Sequence, residues 1–333
     1  MRRLFVRFVC WVFVLSCLPS SILAIEIATG SMLGPRYDPD RFYVRSRRGG
    51  DWEETYRHGP FRRAVRGKLI GVDLGSAWLT ADQAHVETSL DRLERCGAGS
   101  FSIQLQNEAP TAKGPAAGGD LYRSDGSLDP QRLERLGRLL EEADERGLIA
   151  VVTLFRWERD EIFDSSEAIV VAARNVARWL IAENRRNVIL DLARSWDSEE
   201  AGWDFGQFIS RNVAALIQDV RERFNEAAFS LPIGAASASA YPQPLARLTD
   251  VVLVDAGSLG AASTVRYDRP VWALQSAPKE CDLAAAPLAQ SAGWTWVAPG
   301  SLAGGLFDDE PSACGQTLLD SIAAVALKKP PQP

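Results

Sequence analysis

From residue 67 onward the sequence alternates between short apolar runs and longer amphipathic runs, and this alternation constrains the fold most strongly. The short runs predict eight strands, at residues 69–74, 100–105, 148–155, 188–193, 231–235, 251–254, 271–274 and 294–297. Helical spacing separates several of them, at residues 83–96, 129–146, 167–184 and 205–224, with a last helix at 311–327. Strands that alternate with helices form a parallel sheet, and eight such units favour a closed (β/α)8 TIM barrel.

The helix at residues 129–146 has the clearest boundaries. Asp129 and Pro130 supply an N-cap and a first-turn proline, and Gly147 stands at the C-terminal cap position. The next run, at residues 148–155, is continuously apolar, as in a parallel strand that is buried on both faces. No glycine-rich phosphate-binding motif follows the first strand, which weakens the alternative of a nucleotide-binding open sheet.

The first 24 residues have the pattern of a secretory signal peptide. A basic start precedes an apolar run at residues 4–18, and small residues lead to a cleavage point after Ala24. The run is shorter than the roughly 20 residues of a spanning helix, so we expect cleavage rather than a retained membrane anchor. Lipid anchoring at Cys17 is a second alternative, although Leu15 fits that motif poorly. The sequence therefore predicts a secreted or periplasmic protein.

Three further segments follow the signal. Residues 25–66 are rich in aromatic residues and arginine, and we interpret them as an irregular extension with a hairpin, packed on the barrel. The barrel is predicted over residues 67–327, and the tail at 328–333 is predicted to be disordered. The sequence leaves open whether the extension shapes the cleft or braces the bottom of the barrel.

Charge and metal-ligand content argue against several classes of function. Residues 1–24 carry three arginines and no acid, so their removal takes the formal charge from −6 to −9, and no basic stripe remains that would favour nucleic acid. Only His58 and His85 are present, without metal-ligand spacing, which argues against a zinc enzyme and a Ser-His-Asp hydrolase. We expect no metal or cofactor. Of the cysteines beyond the signal, Cys281 and Cys314 are the pair to test for a disulfide, and free thiols, including Cys96, are the alternative.

The candidate site follows from the fold, because a TIM barrel carries its active site at the carboxyl ends of its strands. Carboxylates, amides and tryptophans cluster at those positions. Tryptophan rings stack on the apolar faces of sugars, and the polar groups hydrogen-bond sugar hydroxyls, so the mixture indicates an oligo- or polysaccharide ligand. The predicted ligand-binding residues are Trp157, Asp160, Arg194, Ser195, Trp196, Asp197, Asp255, Gln275 and Trp296.

Several segments resemble one known family. They are residues 128–136, 147–155, 187–193, 270–272 and 293–296. Together they make the region from about residue 68 to residue 296 similar to the cellulase-like barrels of glycoside hydrolase family 5. The resemblance implies a (β/α)8 barrel that acts on carbohydrate.

The chain departs from that family at three positions. The family places an Asn-Glu pair after the fourth strand, the Glu being the general acid/base, and the matching residues here are Arg194 and Ser195. The family's nucleophilic Glu ends the seventh strand, and the matching residue is Gln275. An Arg of the second strand is matched by Ser102.

Retaining hydrolysis requires two carboxyl groups about 5–5.5 Å apart, and Ser195 and Gln275 supply neither. We therefore expect a catalytically degenerate protein that still binds carbohydrate, since serine and glutamine hydrogen-bond hydroxyls well. One alternative is an active O-glycosyl hydrolase in which Asp197 is the acid. Its partner would then be Asp255, Glu280 or Asp160. A third reading is a scaffold with no small ligand.

Overall fold

The structure is a computed structural model. It describes residues 42–46, 52–58, 61–65, 70–107, 119–197, 208–229, 231–239, 241–255, 271–274 and 295–298, and positions 320 and 323. The predicted signal peptide, the tail, Gln275, Glu280, Cys281 and Cys314 lie outside the described residues.

The N-terminal extension contains a three-stranded antiparallel sheet, so the predicted hairpin has one further strand. Its strands, in spatial and chain order, are β1 (Phe42–Ser46), β2 (Trp52–His58) and β3 (Phe61–Val65). Phe42 of β1 pairs with Tyr56 of β2, and Tyr56 pairs with Arg63 of β3. The predicted packing of this extension on the barrel stays a prediction.

Eight parallel strands form a closed barrel, which confirms the predicted fold. Each strand pairs with its neighbour in the chain, and the last pairs with the first. The strands are β4 (Ile70–Asp73), β5 (Ser100–Gln104), β6 (Ile149–Arg156), β7 (Val188–Arg194), β8 (Ile233–Ser237), β9 (Val252–Asp255), β10 (Val271–Leu274) and β11 (Thr295–Ala298).

Helices follow five of these strands within the described residues. They are α1 (Gln83–Arg95), α2 (Pro130–Glu145), α3 (Ser166–Ala182), α4 (Phe208–Glu226) and α5 (Gln243–Leu248). Helix α5 was not predicted, because its six residues are too few to produce a helical period. Of the predicted last helix, only positions 320 and 323 are described, and both are helical.

Local capping explains where the helices begin and end. The Asp129 carboxylate accepts hydrogen bonds from the backbone N–H groups of Gln131 and Arg132, both at 3.1 Å, as predicted for the N-cap of α2. Gly147 has a φ of 68°, a left-handed conformation that favours glycine and separates α2 from β6. Ser165 caps α3 through a 3.2 Å bond from the N–H of Ala168.

The barrel strands bury two faces of different composition. Side chains on the outer face pack against the helices in one apolar cluster that includes Val72, Phe101, Val152 and Leu190. The alternate residues line the barrel interior, and they become polar toward the carboxyl ends of the strands. Interior residues include Gly71, Asp73, Ser100, Ser102, Gln104, Ile149, Val151, Thr153, Ile189 and Asp191.

No helix in the described part of the chain is long and apolar enough to cross a membrane. Cys96, at the end of α1, is a half-buried free thiol.

Candidate site at the mouth of the barrel

Parallel strands place their carboxyl ends at one end of the barrel, which we call the mouth. Asp73 ends β4, Gln104 ends β5, Arg156 ends β6, Arg194 ends β7 and Ser237 ends β8. These polar residues come from five successive strands, so they lie around one half of the mouth.

A bulge in β7 determines which side chains reach the mouth. Asp191 pairs with Gly234 of β8, whereas Arg194 pairs with Ala236, so three steps along β7 match two along β8. Strict alternation would place residues 191 and 194 on opposite faces. The extra residue brings Arg194 to the interior face that Asp191 also occupies, which is how a bulge redirects a side chain.

The bulge is stabilised by a side chain. The Asp191 carboxylate accepts a hydrogen bond from the backbone N–H of Ala236 at 2.9 Å, at the point where the register between β7 and β8 shifts. The next residue after β7, Ser195, has a φ of 53°, which costs a non-glycine residue about 1 kcal/mol. Ser195 is half-buried at the mouth. Its backbone is held in a conformation that is disfavoured for residues with a side chain.

An ion pair crosses the floor of the mouth. The Arg194 Nη1 atom donates to Asp73 Oδ2 at 2.7 Å, and the two side chains are only 7% and 5% exposed. Two other strands stand between β4 and β7 in the sheet, so this contact passes through the interior. The second oxygen of Asp73 accepts from Ser102 Oγ at 2.7 Å and from the Gly75 N–H at 3.0 Å. The Asp73 carboxylate is thus bound on both sides.

Asp191 lies fully buried beside this pair. Its second oxygen accepts from Thr153 Oγ1 of β6 at 2.8 Å. Burial raises the pKa of Asp191 to about 6, although the hydrogen bonds from Thr153 and Ala236 and the charge of Arg194 act in the opposite direction. The side chain has no access to a ligand, so its effect on the mouth passes through its neighbours.

Asp197 is bound to the loop after β8. It accepts from Ser237 Oγ at 2.6 Å and from the Ala238 N–H at 2.6 Å, and Ser239 Oγ donates a third bond. Both carboxylate oxygens are occupied, so the geometry is that of a loop anchor.

The loops after β5 and β6 are joined by a second polar network. Gln106 accepts from the Arg156 N–H at 2.6 Å and donates to the Arg159 carbonyl at 3.0 Å. Arg159 forms a 2.6 Å ion pair with Asp120, which also accepts from the Asn107 N–H at 2.6 Å. The Arg156 guanidinium donates to Gln104 Oε1. These contacts hold the rim on this side of the mouth.

Solved structures share this fold at low sequence identity. A family 5 glycoside hydrolase from Bacteroides vulgatus matches with a TM-score of 0.53 and 10% identity, over 77% of this chain and 61% of that one. GH5_18 from Streptomyces cattleya, in complex with Manb1-4GlcNAc, matches with a TM-score of 0.53 and 15% identity, over 80% and 83%. The β-1,4-D-mannanase from Cryptopygus antarcticus gives 0.52 and 11%, over 78% and 88%.

The chain has the barrel fold of family 5 glycoside hydrolases. It spans only 55% and 61% of the two Bacteroides vulgatus structures that it matches. No protein-family model matches the sequence, and no curated protein matches it either.

Within this family 5-like barrel, four of the predicted ligand-binding residues are consecutive. Arg194, Ser195, Trp196 and Asp197 follow one another at the end of β7. Trp196 packs partly against the helix-facing apolar cluster, and its indole Nε1 atom is buried without an acceptor among the described residues. Its position is therefore closer to the outer layer than that of Arg194.

The other predicted residues are placed by their backbone alone. Trp157 and Asp160 lie in a short 3₁₀ helix, Trp157–Ile162, directly after β6. Asp255 ends β9, where its backbone pairs with Leu274 of β10. Trp296 lies in β11, where its backbone pairs with Ile70 and Ala273.

The main residue that sequence reasoning missed is Asp191, together with its partner Thr153. Asp191 interrupts an otherwise apolar strand, and a carboxylate inside such a run indicates a specific buried partner. That signal was present, but the partners and the bulge depend on neighbouring strands. No group of three or more potential metal-ligating side chains occurs among the described residues.

Proposed function

We propose that this protein is an exported, glycoside-hydrolase-like barrel that binds carbohydrate at its mouth and does not hydrolyse it with the family's two glutamates. The fold supports carbohydrate binding or hydrolysis in general. The choice between them rests on the residues at the end of β7.

One observation carries the proposal: Arg194 and Ser195 stand where the resemblance expects Asn and the acid/base Glu, and Arg194 is ion-paired with Asp73. A guanidinium remains protonated at all relevant pH values and cannot serve as the general acid. A serine hydroxyl is not acidic enough to protonate a glycosidic oxygen, and Gln275 is a poor nucleophile. The retaining reaction therefore lacks both of its carboxyl groups.

The alternative of relocated carboxylates loses support from the contacts of Asp197. Its carboxylate accepts three hydrogen bonds, from Ser237, Ala238 and Ser239, and so already serves as the anchor of the loop after β8. Asp160, Asp255 and Glu280 were the suggested partners of Asp197. Without Asp197 as the acid, each of them would need another carboxyl group nearby to form a catalytic pair.

A scaffold without a ligand is the second candidate, and one observation favours it. Arg194 and Asp73 together cover part of the mouth's floor, and their side chains are almost inaccessible to solvent. A ligand would then have to bind above this pair, against the loops after β6 and β7.

The ligands to test first come from the solved structures, which include β-1,4-mannanases. The mature protein would be titrated with β-1,4-mannohexaose and cellohexaose by calorimetry, and the mixtures would be analysed for shorter products. We expect saturable binding of at least one oligosaccharide and no products. Shorter products in amounts proportional to the protein would contradict the non-catalytic proposal, and no binding to either probe would favour the scaffold.

A double variant and its control distinguish a barrel that has lost its catalytic carboxyl groups from one in which they are relocated. Ser195→Glu combined with Gln275→Glu restores both carboxyl groups of the family pattern. We expect this double variant to gain slow hydrolysis of a bound oligosaccharide, whereas Ser195→Gln with unchanged Gln275 gains none. If wild type already hydrolyses and Asp197→Asn abolishes it, relocated carboxylates are the correct account.

The proposal of export is tested separately. The full chain would be expressed with its first 24 residues intact, and the N-terminus of the protein recovered outside the cytoplasm would be sequenced. We expect it to begin at Ile25. A mature chain that begins at a lipid-modified Cys17 would support the anchoring alternative instead.

A further inference from the structure

A fully buried glutamine holds the chain where it leaves β6. Gln106 lies two residues beyond the end of β5, at the mouth, and is not exposed to solvent. Its Oε1 atom accepts from the backbone N–H of Arg156 at 2.6 Å, and its Nε2 atom donates to the backbone carbonyl of Arg159 at 3.0 Å. One side chain therefore fixes two backbone groups that are three residues apart.

These two bonds continue the pairing between β5 and β6 beyond the backbone ladder. Gln104 pairs with Thr153 in the register, and the Leu105 N–H donates to the Thr153 carbonyl at 3.0 Å. At the next position, the Gln106 amide offers the chain after β6 a donor and an acceptor, as a neighbouring strand would. A buried amide that lost either bond would keep an unpaired polar group, which costs free energy. The orientation of the Gln106 side chain is thus well determined.

The segment that Gln106 holds contains a predicted ligand-binding residue. Trp157 lies between the two anchored backbone groups and begins the 3₁₀ helix Trp157–Ile162. The same helix is tied a second time, because Arg159 Nη2 pairs with Asp120 Oδ2 at 2.6 Å, and these side chains are only 14% and 6% exposed. The hydrogen bonds within a 3₁₀ helix have poor geometry, so its position depends on such outside contacts.

We propose that Gln106 is a positioning residue for carbohydrate binding, which holds the backbone of Trp157 where the indole ring can stack on a sugar. This inference rests on the proposed function and names the residue that fixes its stacking contact. Because Gln106 is fully buried, it acts on the ligand only through the segment that it holds. A backbone that is fixed before binding lowers the cost of ordering the contact when the ligand arrives.

A purely structural role for Gln106 leads to a different expectation. Loss of the amide would then lower the affinity by the same factor whether or not the Trp157 ring is present. In a positioning role the two substitutions are coupled, because a residue that acts through Trp157 has no ring left to position in Trp157→Ala. The coupling, and not the loss of affinity alone, distinguishes the two roles.

The test is a double-mutant cycle of Gln106→Met and Trp157→Ala, with the affinities for β-1,4-mannohexaose and cellohexaose measured by calorimetry. Methionine has a volume close to that of glutamine and lacks both amide groups. We expect Trp157→Ala to weaken binding about tenfold and Gln106→Met to weaken it about fivefold. In the Trp157→Ala background, Gln106→Met should change the affinity less than about twofold.

A second variant loosens the same helix at its other tie. Asp120→Asn removes the charge that pairs with Arg159, while Glu161 remains a partner of Arg159 at 3.2 Å. We expect the same coupling to Trp157→Ala, so this variant tests the inference even if Gln106→Met does not fold.

Asn187→Leu is the matched control, because the Asn187 amide is also buried and donates to the Leu140 carbonyl at 2.9 Å, but it precedes β7 at the opposite end of the barrel. It should lose stability and keep the wild-type affinity. Binding that Trp157→Ala leaves unchanged, or equal effects of Gln106→Met and Asp120→Asn with and without the ring, would overturn this inference and leave the proposed function standing. If wild type binds neither hexamer, the proposed function and this inference both fail.

Discussion

The two ends of the barrel interior are built from different chemistry. At the amino ends of the strands, Gly71, Ser100 and Ile149 lie side by side, and a Cβ atom on Gly71 would come within 2.4 Å of Ser100 Oγ. At the mouth, Asp73, Asp191 and Arg194 occupy the interior instead. The amino end of the barrel interior is filled by closely packed residues, whereas the mouth is lined by paired charges.

This difference shows that the mouth, where charges are buried, costs free energy without an evident gain in the stability of the fold. Buried ion pairs are rarely more stable than apolar residues of the same size. A barrel could close its mouth with tightly packed uncharged residues, as it does at the other end. The charges at the mouth are therefore not explained by a gain in stability, which agrees with the ligand-binding role that we propose for it.

The largest effect is expected for Arg194→Leu, which leaves the Asp73 carboxylate buried without its cation. We expect the free energy of unfolding at pH 8 to fall by about 3–5 kcal/mol, measured by urea denaturation. The double variant Arg194→Leu with Asp73→Leu should recover most of this loss. A small effect of the single variant would mean that the mouth tolerates an unpaired carboxylate, and the contrast between the two ends would disappear.

Asp191→Asn should act in the opposite direction and should depend on pH. A pKa raised to about 6 means that the ionised form carries a burial cost above pH 6, and this cost vanishes as pH falls toward the ordinary aspartate value. Neutralisation should therefore stabilise the protein at pH 8 by up to about 3 kcal/mol and have little effect at pH 4. Equal effects at the two pH values would show that the charge of Asp191 is not the cause.

Gly71→Ala tests the packed end. The new Cβ would lie 2.4 Å from Ser100 Oγ and 2.7 Å from the Ser100 carbonyl oxygen, and the backbone atom cannot rotate away. We expect a loss of about 1–3 kcal/mol that does not vary between pH 4 and pH 8. Adding Ser100→Ala to this variant removes the hydroxyl but leaves the clash with the Ser100 carbonyl oxygen. The second substitution should therefore recover only part of the lost stability. Full recovery of the stability would mean that the clash with the Ser100 hydroxyl accounts for the whole loss.

Arg174→Ala provides the smallest expected change. Arg174 contacts Asp219 at 2.6 Å, but its side chain is 35% exposed. Exposed pairs contribute about 0–1 kcal/mol and are weakened by salt. The loss should therefore be below about 1 kcal/mol and should shrink further in high salt. A loss as large as that of Arg194→Leu would show that burial is not what distinguishes the pair at the mouth.

Local patterns predicted the helices with the strongest caps and the apolar strands within about two residues. Asp129, Pro130 and Gly147 marked both ends of α2, because capping depends only on nearby backbone groups. Helix α5 was missed because a short helix has no period to detect. The rule that barrel sites lie at strand ends predicted a candidate site at the mouth, and Arg194 was among the residues chosen. Which of the chosen residues bind a ligand stays a prediction.

The sequence by itself determined the alternation of strands and helices and the polar character of the strand ends, because both depend on neighbours in the chain. The tertiary structure alone decided that residue 194 faces the interior, since one extra residue in β7 reverses the alternation that the sequence implies. It also decided that Asp73, 121 positions away, is the partner of Arg194. A bulge and a cross-barrel ion pair arise from the register between strands, which no local pattern encodes.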